Sequence, residues 1–319
     1  MNRRWVQIVG FVIICGATLL YILLFRDQTQ LLKNVRISRL WLLLTASFVM
    51  VVTTGLTNAL LVKILGVRLT TFEYSSLSFL TTFANYFGPL RAGAAVRATY
   101  LRMVKGLPIS AYAGVMVANS LILFFVSGIT GLSLLLAGYY YYGLISPELV
   151  LACLIFTGFA VAAKIVRLPS FKREGRIYNM FRLAATGLDT IRSQHLGLTE
   201  VILSILLQYI VAAFVIYAAY HAMGISIPLL PAFIIGVFNA MSGYLSITPN
   251  NLGLQEAAIG YLGMITGLGL NESLLAAALI RGGQVAVVFL LTPACWFWLL
   301  RPAGINIMGK APDPHGDPS

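Results

Sequence analysis

Long apolar stretches recur along this chain, and they restrict its fold more than any other feature. A hydrocarbon core of about 30 Å needs about 20 helical residues to cross it. Six stretches have roughly this length: 5–25, 40–65, 109–138, 148–168, 198–220 and 273–300. Because backbone groups in lipid must bond to one another, the sequence predicts an all-α, polytopic integral membrane protein with about six full transmembrane helices.

The composition excludes an ordinary soluble protein. Only 10% of the residues are charged, against about 25% in soluble domains. The net charge of +12 comes from basic residues between the apolar stretches, which is typical of cytoplasmic loops and lipid contacts and not of nucleic-acid binding. The first stretch, 5–25, is too long for a signal-peptide core and no small-residue cleavage site follows it, so we expect it to be retained.

Metal and cofactor chemistry has no support in the sequence. Cys15, Cys153 and Cys295 each lie inside an apolar run, and the three histidines have no ligand spacing. No phosphate-binding glycine loop and no nucleophile elbow occurs. We therefore expect no metal, no cofactor and no enzymatic activity.

Two polar breaks interrupt the apolar pattern, at residues 85–93 and 248–256. Proline, glycine and asparagine stop helices and permit turns. The first break contains Asn85, Pro89 and Gly93, and the second contains Pro249, Asn250, Asn251 and Gly253. Such paired breaks indicate a transporter site near the bilayer midplane. Plain loops at the bilayer surface are the alternative.

Two isolated charges follow the second break. Apart from His221, Glu256 is the one ionisable residue between Tyr220 and Leu270, and Arg281 is the one between Ser273 and Leu300. A charge at the bilayer centre is costly and usually faces a cavity or a partner. We expect Glu256 and Arg281 to approach each other or to share a polar chamber. The alternative places Glu256 at a helix N-terminus near the surface, with Arg281 snorkelling.

Two further arginines, Arg91 and Arg97, lie in and just after the first break. A guanidinium binds phosphate in a bidentate way, so the pair is a candidate site for a lipid head group. Anchoring at the positive, cytoplasmic side is the alternative interpretation.

Basic residues orient the chain. The basic loop 164–192 is predicted to be cytoplasmic, whereas 139–148 and 221–228 contain no Lys or Arg and fit the outside. The excess of basic residues on the cytoplasmic side is the same whether 71–90 dips into the membrane or crosses it. The hydroxyl side chains and Asn85 of this segment favour a dip, which places both termini in the cytoplasm. Residues 228–247 either re-enter or cross.

The residues around both breaks resemble the signatures of the lysylphosphatidylglycerol synthase transmembrane-region family. The first signature is carried by Gly66-Val67-Arg68-Leu69, Asn85-Tyr86, Pro89, Arg91-Ala92-Gly93, Val96-Arg97 and Leu101-Arg102, and the second by Pro249, Leu252-Gly253, Glu256-Ala257-Ala258 and Arg281. The resemblance covers about residues 5 to 300. It implies a polytopic inner-membrane protein with a lipid-handling cavity, in some members a flippase for aminoacylated phosphatidylglycerol.

Three positions depart from the family pattern. Ala94 stands where the family often has Glu, Asn250 and Asn251 replace glycines, and Gln255 replaces a basic residue. No aminoacyl-transfer domain follows Leu300, so synthesis of a modified lipid is not expected.

The sequence therefore predicts one flippase-like transmembrane domain, 1–301, and a disordered cytoplasmic tail, 302–319. We expect two broken, re-entrant hairpins that form an inverted repeat in the plasma (inner) membrane. The expected function is translocation of an anionic phospholipid or a polyprenyl-linked precursor. The alternative is a non-transporting membrane partner of a cell-envelope or glycolipid biosynthesis enzyme.

Overall fold

The computed structural model describes residues 35–87, 92–165, 195–243 and 249–305. These ranges are helical apart from short connections, and they contain no strand, which confirms the predicted all-α class. The first predicted span 5–25, most of the basic loop 164–192, the predicted tail beyond residue 305 and the break residues 88–91 and 244–248 lie outside the described residues.

Nine α-helices occupy the described ranges, numbered here in chain order. They are α1 Ile37–Ile64, α2 Thr71–Phe87, α3 Ala92–Lys105, α4 Ile109–Tyr142, α5 Pro147–Ile165, α6 His195–Ala222, α7 Leu229–Gly243, α8 Leu254–Ile265 and α9 Leu270–Cys295. A 3₁₀ turn, Pro249–Asn251, precedes α8, and a π turn, Trp296–Leu300, extends α9.

Four of the described helices are long and apolar enough to cross a membrane. They are α1, α4, α6 and α9 with its π extension, and they correspond to the predicted spans at 40–65, 109–138, 198–220 and 273–300. α5 has 19 residues, of which Pro147–Ala162 form a shorter apolar helix. The chain is thus a multi-pass membrane protein.

Helices α1 and α6 run antiparallel along their whole length. At one end the Arg36 N–H donates to the Ala222 carbonyl oxygen at 3.0 Å. At the other end Lys63 Nζ lies 2.8 Å from Glu200 Oε2. The two contacts define two ends of the bundle, which we call the Ala222 end and the Lys63 end.

Helices α2 and α3 form a first hairpin whose base is closed by charge. Lys105 Nζ, at the end of α3, lies 2.6 Å from Glu73 Oε1 in the first turn of α2. The Tyr100 hydroxyl donates to the same oxygen at 2.8 Å. The chain therefore enters and leaves this hairpin at one place.

The tip of the first hairpin is closed by an asparagine. The Gly93 N–H donates to Asn85 Oδ1 at 2.8 Å, so the side chain at the end of α2 satisfies a free donor at the start of α3. Gly93 also packs directly on α2, since a Cβ there would overlap the Thr81 carbonyl. Glycine is thus what lets the two helices cross this closely.

Helices α7 and α8 form a second hairpin based at the Ala222 end. α7 begins after the short connection that follows α6. Near the end of α8, Gly263 packs against Ser273, and Ser273 accepts a hydrogen bond from the Tyr220 hydroxyl at 2.8 Å. At the tip, Asn251 Nδ2 donates to the Gly243 carbonyl at 2.7 Å.

Helix α9 shows that the two hairpins start from opposite ends of the bundle. Its first turn contains Ser273, beside the base of the second hairpin. Its π extension buries Leu299 and Leu300 in one cluster with Val62 of α1 and Leu101 of the first hairpin. The first hairpin is therefore based at the Lys63 end.

We expect Gly93→Ala to destabilise the protein. The added methyl group must displace α2 or α3, and overpacking of this kind costs about 1–3 kcal/mol. The midpoint of thermal unfolding in detergent should fall.

Gly158→Ala is the matched control, because a Cβ at this position on α5 meets nothing within 4 Å. Replacing a helix glycine in open space should stabilise by about 0.5–1 kcal/mol. Equal midpoints for the two variants would contradict the tight crossing of α2 and α3.

Candidate functional site

A charged pair lies where the second hairpin meets α9. Arg281 Nε donates to Glu256 Oε1 at 2.8 Å. The two side chains are only 14% and 25% exposed, respectively. The approach of Glu256 and Arg281 that the sequence predicts is therefore present.

The remaining nitrogens of Arg281 bind the second hairpin as well. Nη1 donates to the Asn250 carbonyl oxygen at 3.1 Å, and Nη2 donates to Gln255 Oε1 at 3.1 Å. A guanidinium offers donors in a rigid fork, and here each nitrogen has a partner. Arg281 thus ties α9 to the 3₁₀ turn and to α8.

Glu256 also caps the helix on which it lies. Its Oε2 accepts the Gly253 N–H at 2.8 Å, and it stands in the first turn of α8, where the helix dipole favours a negative charge. Gly253 has φ +82°, a conformation that costs glycine little. The alternative of a capping Glu256 is thus realised together with the ion pair.

The second break turns through two asparagines. Asn250 and Asn251 have φ of 46° and 54°, the left-handed region that asparagine tolerates better than most residues. This turn presents the Asn250 carbonyl to Arg281 and the Asn251 side chain to Gly243. The two asparagines can therefore form the turn without glycine.

The two hairpin tips meet at this pair. Helix α2 contacts the 3₁₀ turn Pro249–Asn251. The buried phenol of Tyr86, near the end of α2, lies beside Arg281 and Asn250 but makes no well-formed hydrogen bond. The first hairpin therefore contributes a polar group beside the ion pair.

Amide side chains complete the surroundings. Asn239, Gln255 and Gln284 line a small cavity together with Glu256 and Arg281, and Ile259, Ala277 and Ile280 form its apolar wall. We call Tyr86, Asn239, Asn250, Asn251, Gln255, Glu256, Arg281 and Gln284 the tip cluster. The cavity holds about 10 Å³, which is room for one water molecule, so a phospholipid head group does not fit in this conformation.

Several polar atoms of the tip cluster lack a partner. Tyr86 Oη, Asn239 Oδ1 and Asn251 Oδ1 are buried and form no hydrogen bond within the described ranges. An unsatisfied buried polar group costs about 1–3 kcal/mol. The cluster is therefore suited to a water molecule or to a polar ligand group.

The predicted site residues fall into separate groups. Asn250, Asn251, Gly253, Glu256 and Arg281 come together, with Pro249 opening the same turn. Asn85 and Gly93 close the first tip. Arg97 lies on α3 and is 6% exposed, while Arg91 and Pro89 lie outside the described residues.

Sequence reasoning missed four members of the tip cluster as site residues: Tyr86, Asn239, Gln255 and Gln284. Gln255 adjoins Glu256, and Gln284 follows Arg281 by one helical turn, so helical spacing from the two charges is a signal for both. Asn239 is a single amide side chain in a largely apolar helix, and this isolation is the feature that could have identified it. Within the described ranges no group of three His, Cys, Asp or Glu side chains is placed to hold a metal ion.

A double-mutant cycle tests the charged pair. Glu256→Gln or Arg281→Met alone leaves one buried charge unpaired, and we expect each to cost near the lower end of about 3–5 kcal/mol because both side chains keep some exposure. The double variant should lose clearly less than the sum. Thermal unfolding of the three variants in one detergent provides the measurement.

Lys63 and Glu200 serve as the control pair, since their side chains are 49% and 42% exposed. The cycle of Lys63→Met and Glu200→Gln should give a coupling of at most about 1 kcal/mol. Additive losses at Glu256 and Arg281 would show that the pair is not coupled.

The comparison with protein families agrees with these signatures. No curated protein matches the sequence, and neither does any solved structure. The family described as "Lysylphosphatidylglycerol synthase TM region" matches residues 7–292, nearly the whole chain. Together with the apolar helices, this match fits a membrane protein of lipid metabolism or transport. The chain belongs to the lysylphosphatidylglycerol synthase TM region family, as the residues around its two breaks predict.

Proposed function

We propose that this protein translocates an anionic lipid, or a lipid-linked precursor, between leaflets without covalent chemistry. The observation that carries the proposal is the Glu256–Arg281 pair at the meeting point of two hairpin tips. Ionisable groups inside a membrane protein usually mark a substrate or ion pathway. Broken helices that meet around such groups are the typical construction of a transporter site.

Helix lengths support a site near the midplane. α8 has 12 residues and spans about 18 Å at 1.5 Å per residue. On α9, Arg281 follows Leu270 by eleven residues, which is about 16 Å. Both values are close to half of a hydrocarbon core of about 30 Å.

The two hairpins would then re-enter from opposite faces as an inverted pair. The first, based at Lys105 and Glu73, enters from the cytoplasm of the plasma (inner) membrane. The second, based at the Ala222 end, enters from outside, and both termini are cytoplasmic. Opposed hairpins suit alternating access, in which one tip withdraws while the other still seals the site.

The predicted residues have distinct parts in this proposal. Arg91 and Arg97 attract the anionic head group, and Asn85, Asn250 and Asn251 offer polar contacts along its path. Pro89, Gly93, Pro249 and Gly253 shape the tips, while Glu256 and Arg281 line or gate the cavity. A cavity of about 10 Å³ corresponds to the closed state of such a cycle.

The small cavity also favours a second candidate. A membrane partner of a cell-envelope or glycolipid biosynthesis enzyme needs no space for a head group. It would use the same fold as a docking platform, and no leaflet exchange would accompany it.

Re-entry from opposite faces predicts a labelling pattern in a chain whose three cysteines are replaced by serine. A membrane-impermeant maleimide added to intact cells should label Ser226→Cys and Asn271→Cys. It should reach Arg68→Cys and Arg102→Cys only after permeabilisation. All four positions are exposed in the structure.

The pattern discriminates between the two topologies. If the first hairpin crossed the membrane, Arg68→Cys and Arg102→Cys would lie on opposite faces, and one of them would react in intact cells. That result would end the inverted-pair proposal.

Reconstitution tests translocation itself. Vesicles containing the protein and an acyl-labelled phosphatidylglycerol should lose protected fluorescence to dithionite faster than empty vesicles. Glu256→Gln should slow the exchange about tenfold, which corresponds to about 1.4 kcal/mol of barrier, because the gate loses its charge balance.

Glu200→Gln is the control, since Glu200 lies at the bundle end in an exposed pair, and it should retain the wild-type rate. No acceleration of any anionic lipid by the wild-type protein would favour the role of an enzyme partner.

A further inference from the structure

Every carboxylate that the structure describes is already bound by a protein group. The partner is Lys105 for Glu73, the Tyr261 hydroxyl for Glu148, Lys63 for Glu200, Arg281 for Glu256 and the Gly269 N–H for Glu272. Glu73, Glu200 and Glu256 are each neutralised by a basic side chain. Glu148 and Glu272 accept only from neutral donors and keep their charge, but they lie beside α8 and at the start of α9, away from the first hairpin.

Arg97 has the opposite character. Its side chain is buried, with 6% of the residue exposed, and it makes no hydrogen bond or ion pair with any residue in the described ranges. The nearest acid along the hairpin, Glu73, is occupied by Lys105 and Tyr100. Arg97 is therefore a buried cation without a counter-charge in this part of the chain.

The position of Arg97 places it inside the first hairpin. Gly93, one turn earlier on α3, packs on Thr81 of α2, and Tyr100, one turn later, bonds to Glu73 of α2. Residues three or four apart share a helix face. Arg97 therefore lies on the side of α3 that faces α2, between the closed tip and the closed base.

Arg281 cannot serve as the anion site in the same way. All of its nitrogens are engaged by Glu256, Asn250 and Gln255, and its charge is balanced by Glu256. A ligand phosphate would have to break these bonds, whereas Arg97 offers five N–H donors in a fork that matches phosphate oxygens. An unpaired buried cation is unfavourable, and a bound phosphate would relieve it.

We infer that Arg97 is the phosphate subsite of this protein, and that its ligand is a lipid head group carrying a phosphate and no cationic group. This inference rests on the proposed function and narrows its substrate. A head group with added amines would bring positive charge to a hairpin that already holds an unbalanced guanidinium. The chemistry fits a phosphodiester such as phosphatidylglycerol, or a polyprenyl monophosphate.

The test compares lipids that share one phosphate. Proteoliposomes receive acyl-labelled phosphatidylglycerol or acyl-labelled lysyl-phosphatidylglycerol, and a labelled polyprenyl phosphate forms a third arm that distinguishes the two anionic sources. We expect an anionic lipid to exchange at least about tenfold faster than the lysyl derivative, because the lysyl ammonium groups would lie near the unbalanced Arg97 guanidinium and like charges repel.

Variants at two arginines of α3 locate the effect. Arg97→Gln should lower exchange of the anionic lipid about tenfold, and Arg97→Lys should restore part of it. Arg102→Gln removes an equal charge from an exposed position on the same helix and should leave the rate unchanged. Because Arg97 has no protein partner to lose, the thermal midpoint of Arg97→Gln should stay level or rise.

Binding of the same lipids to the purified protein, followed by native mass spectrometry, separates the two proposals. If the protein binds anionic lipid preferentially and Arg97→Gln abolishes this preference, the subsite is supported even when no lipid is exchanged. Absence of exchange would then overturn only the proposed translocation. Equal binding of phosphatidylglycerol and its lysyl derivative would overturn the inference. So would an Arg97→Gln variant that unfolds at a lower temperature, because Arg97 would then be structural.

Discussion

The structure depends on how a guanidinium is accommodated in a largely apolar helix bundle. Arg281 lies on a long apolar helix, where an unpaired charge would be costly. Three features of the second break neutralise and bind it: the Glu256 carboxylate, the Asn250 carbonyl and the Gln255 amide. These partners lie on the 3₁₀ turn and the first turn of α8, so the break between α7 and α8 supplies the groups that bind the charge. The break and the charge therefore stabilise each other.

The tips also satisfy the backbone groups that a broken helix leaves free. In the first hairpin Asn85 accepts from the N–H of Gly93, eight residues later, and in the second Asn251 donates to the carbonyl of Gly243, eight residues earlier. An asparagine amide can do either, because it carries both a donor and an acceptor. Glycine at the other end allows close approach: a Cβ at Gly243 would lie 3.3 Å from Gln255 Nε2. Both tips are thus closed by an asparagine and a glycine, but the asparagine side chain accepts the hydrogen bond in the first and donates it in the second.

Much of this arrangement could be predicted from the sequence, because its signals are strong and local. Apolar stretches of span length located α1, α4, α6 and α9, and isolated charges in apolar surroundings pointed to the Glu256–Arg281 contact. From the sequence, capping of α8 by Glu256 is only an alternative to the ion pair. The pattern does not show that one carboxylate oxygen can bind Arg281 while the other accepts the Gly253 N–H. Asn239 and Tyr86 were missed because a single polar residue in a helix has no periodicity. The closed state of the cavity depends on side-chain packing, which no pattern in the sequence reports.

The distribution of bonds around the tip cluster indicates where opening would be easiest. Arg281 is bonded to the second hairpin by three hydrogen bonds, one of them charged on both sides, so α9 and that hairpin would move together. In the described part of the first hairpin, Arg281 meets the Tyr86 phenol without a well-formed bond. The rest of that joint is largely apolar: Phe83 and Phe87 pack on Phe289 of α9 at centroid distances of 4.9 and 5.9 Å, and Thr292 adds a 3.5 Å hydrogen bond to the Phe79 carbonyl. Apolar contacts are non-directional, whereas breaking a buried ion pair is costly. A head group arriving from the side of Arg97 would therefore part the first hairpin from α9 and leave the charged pair intact.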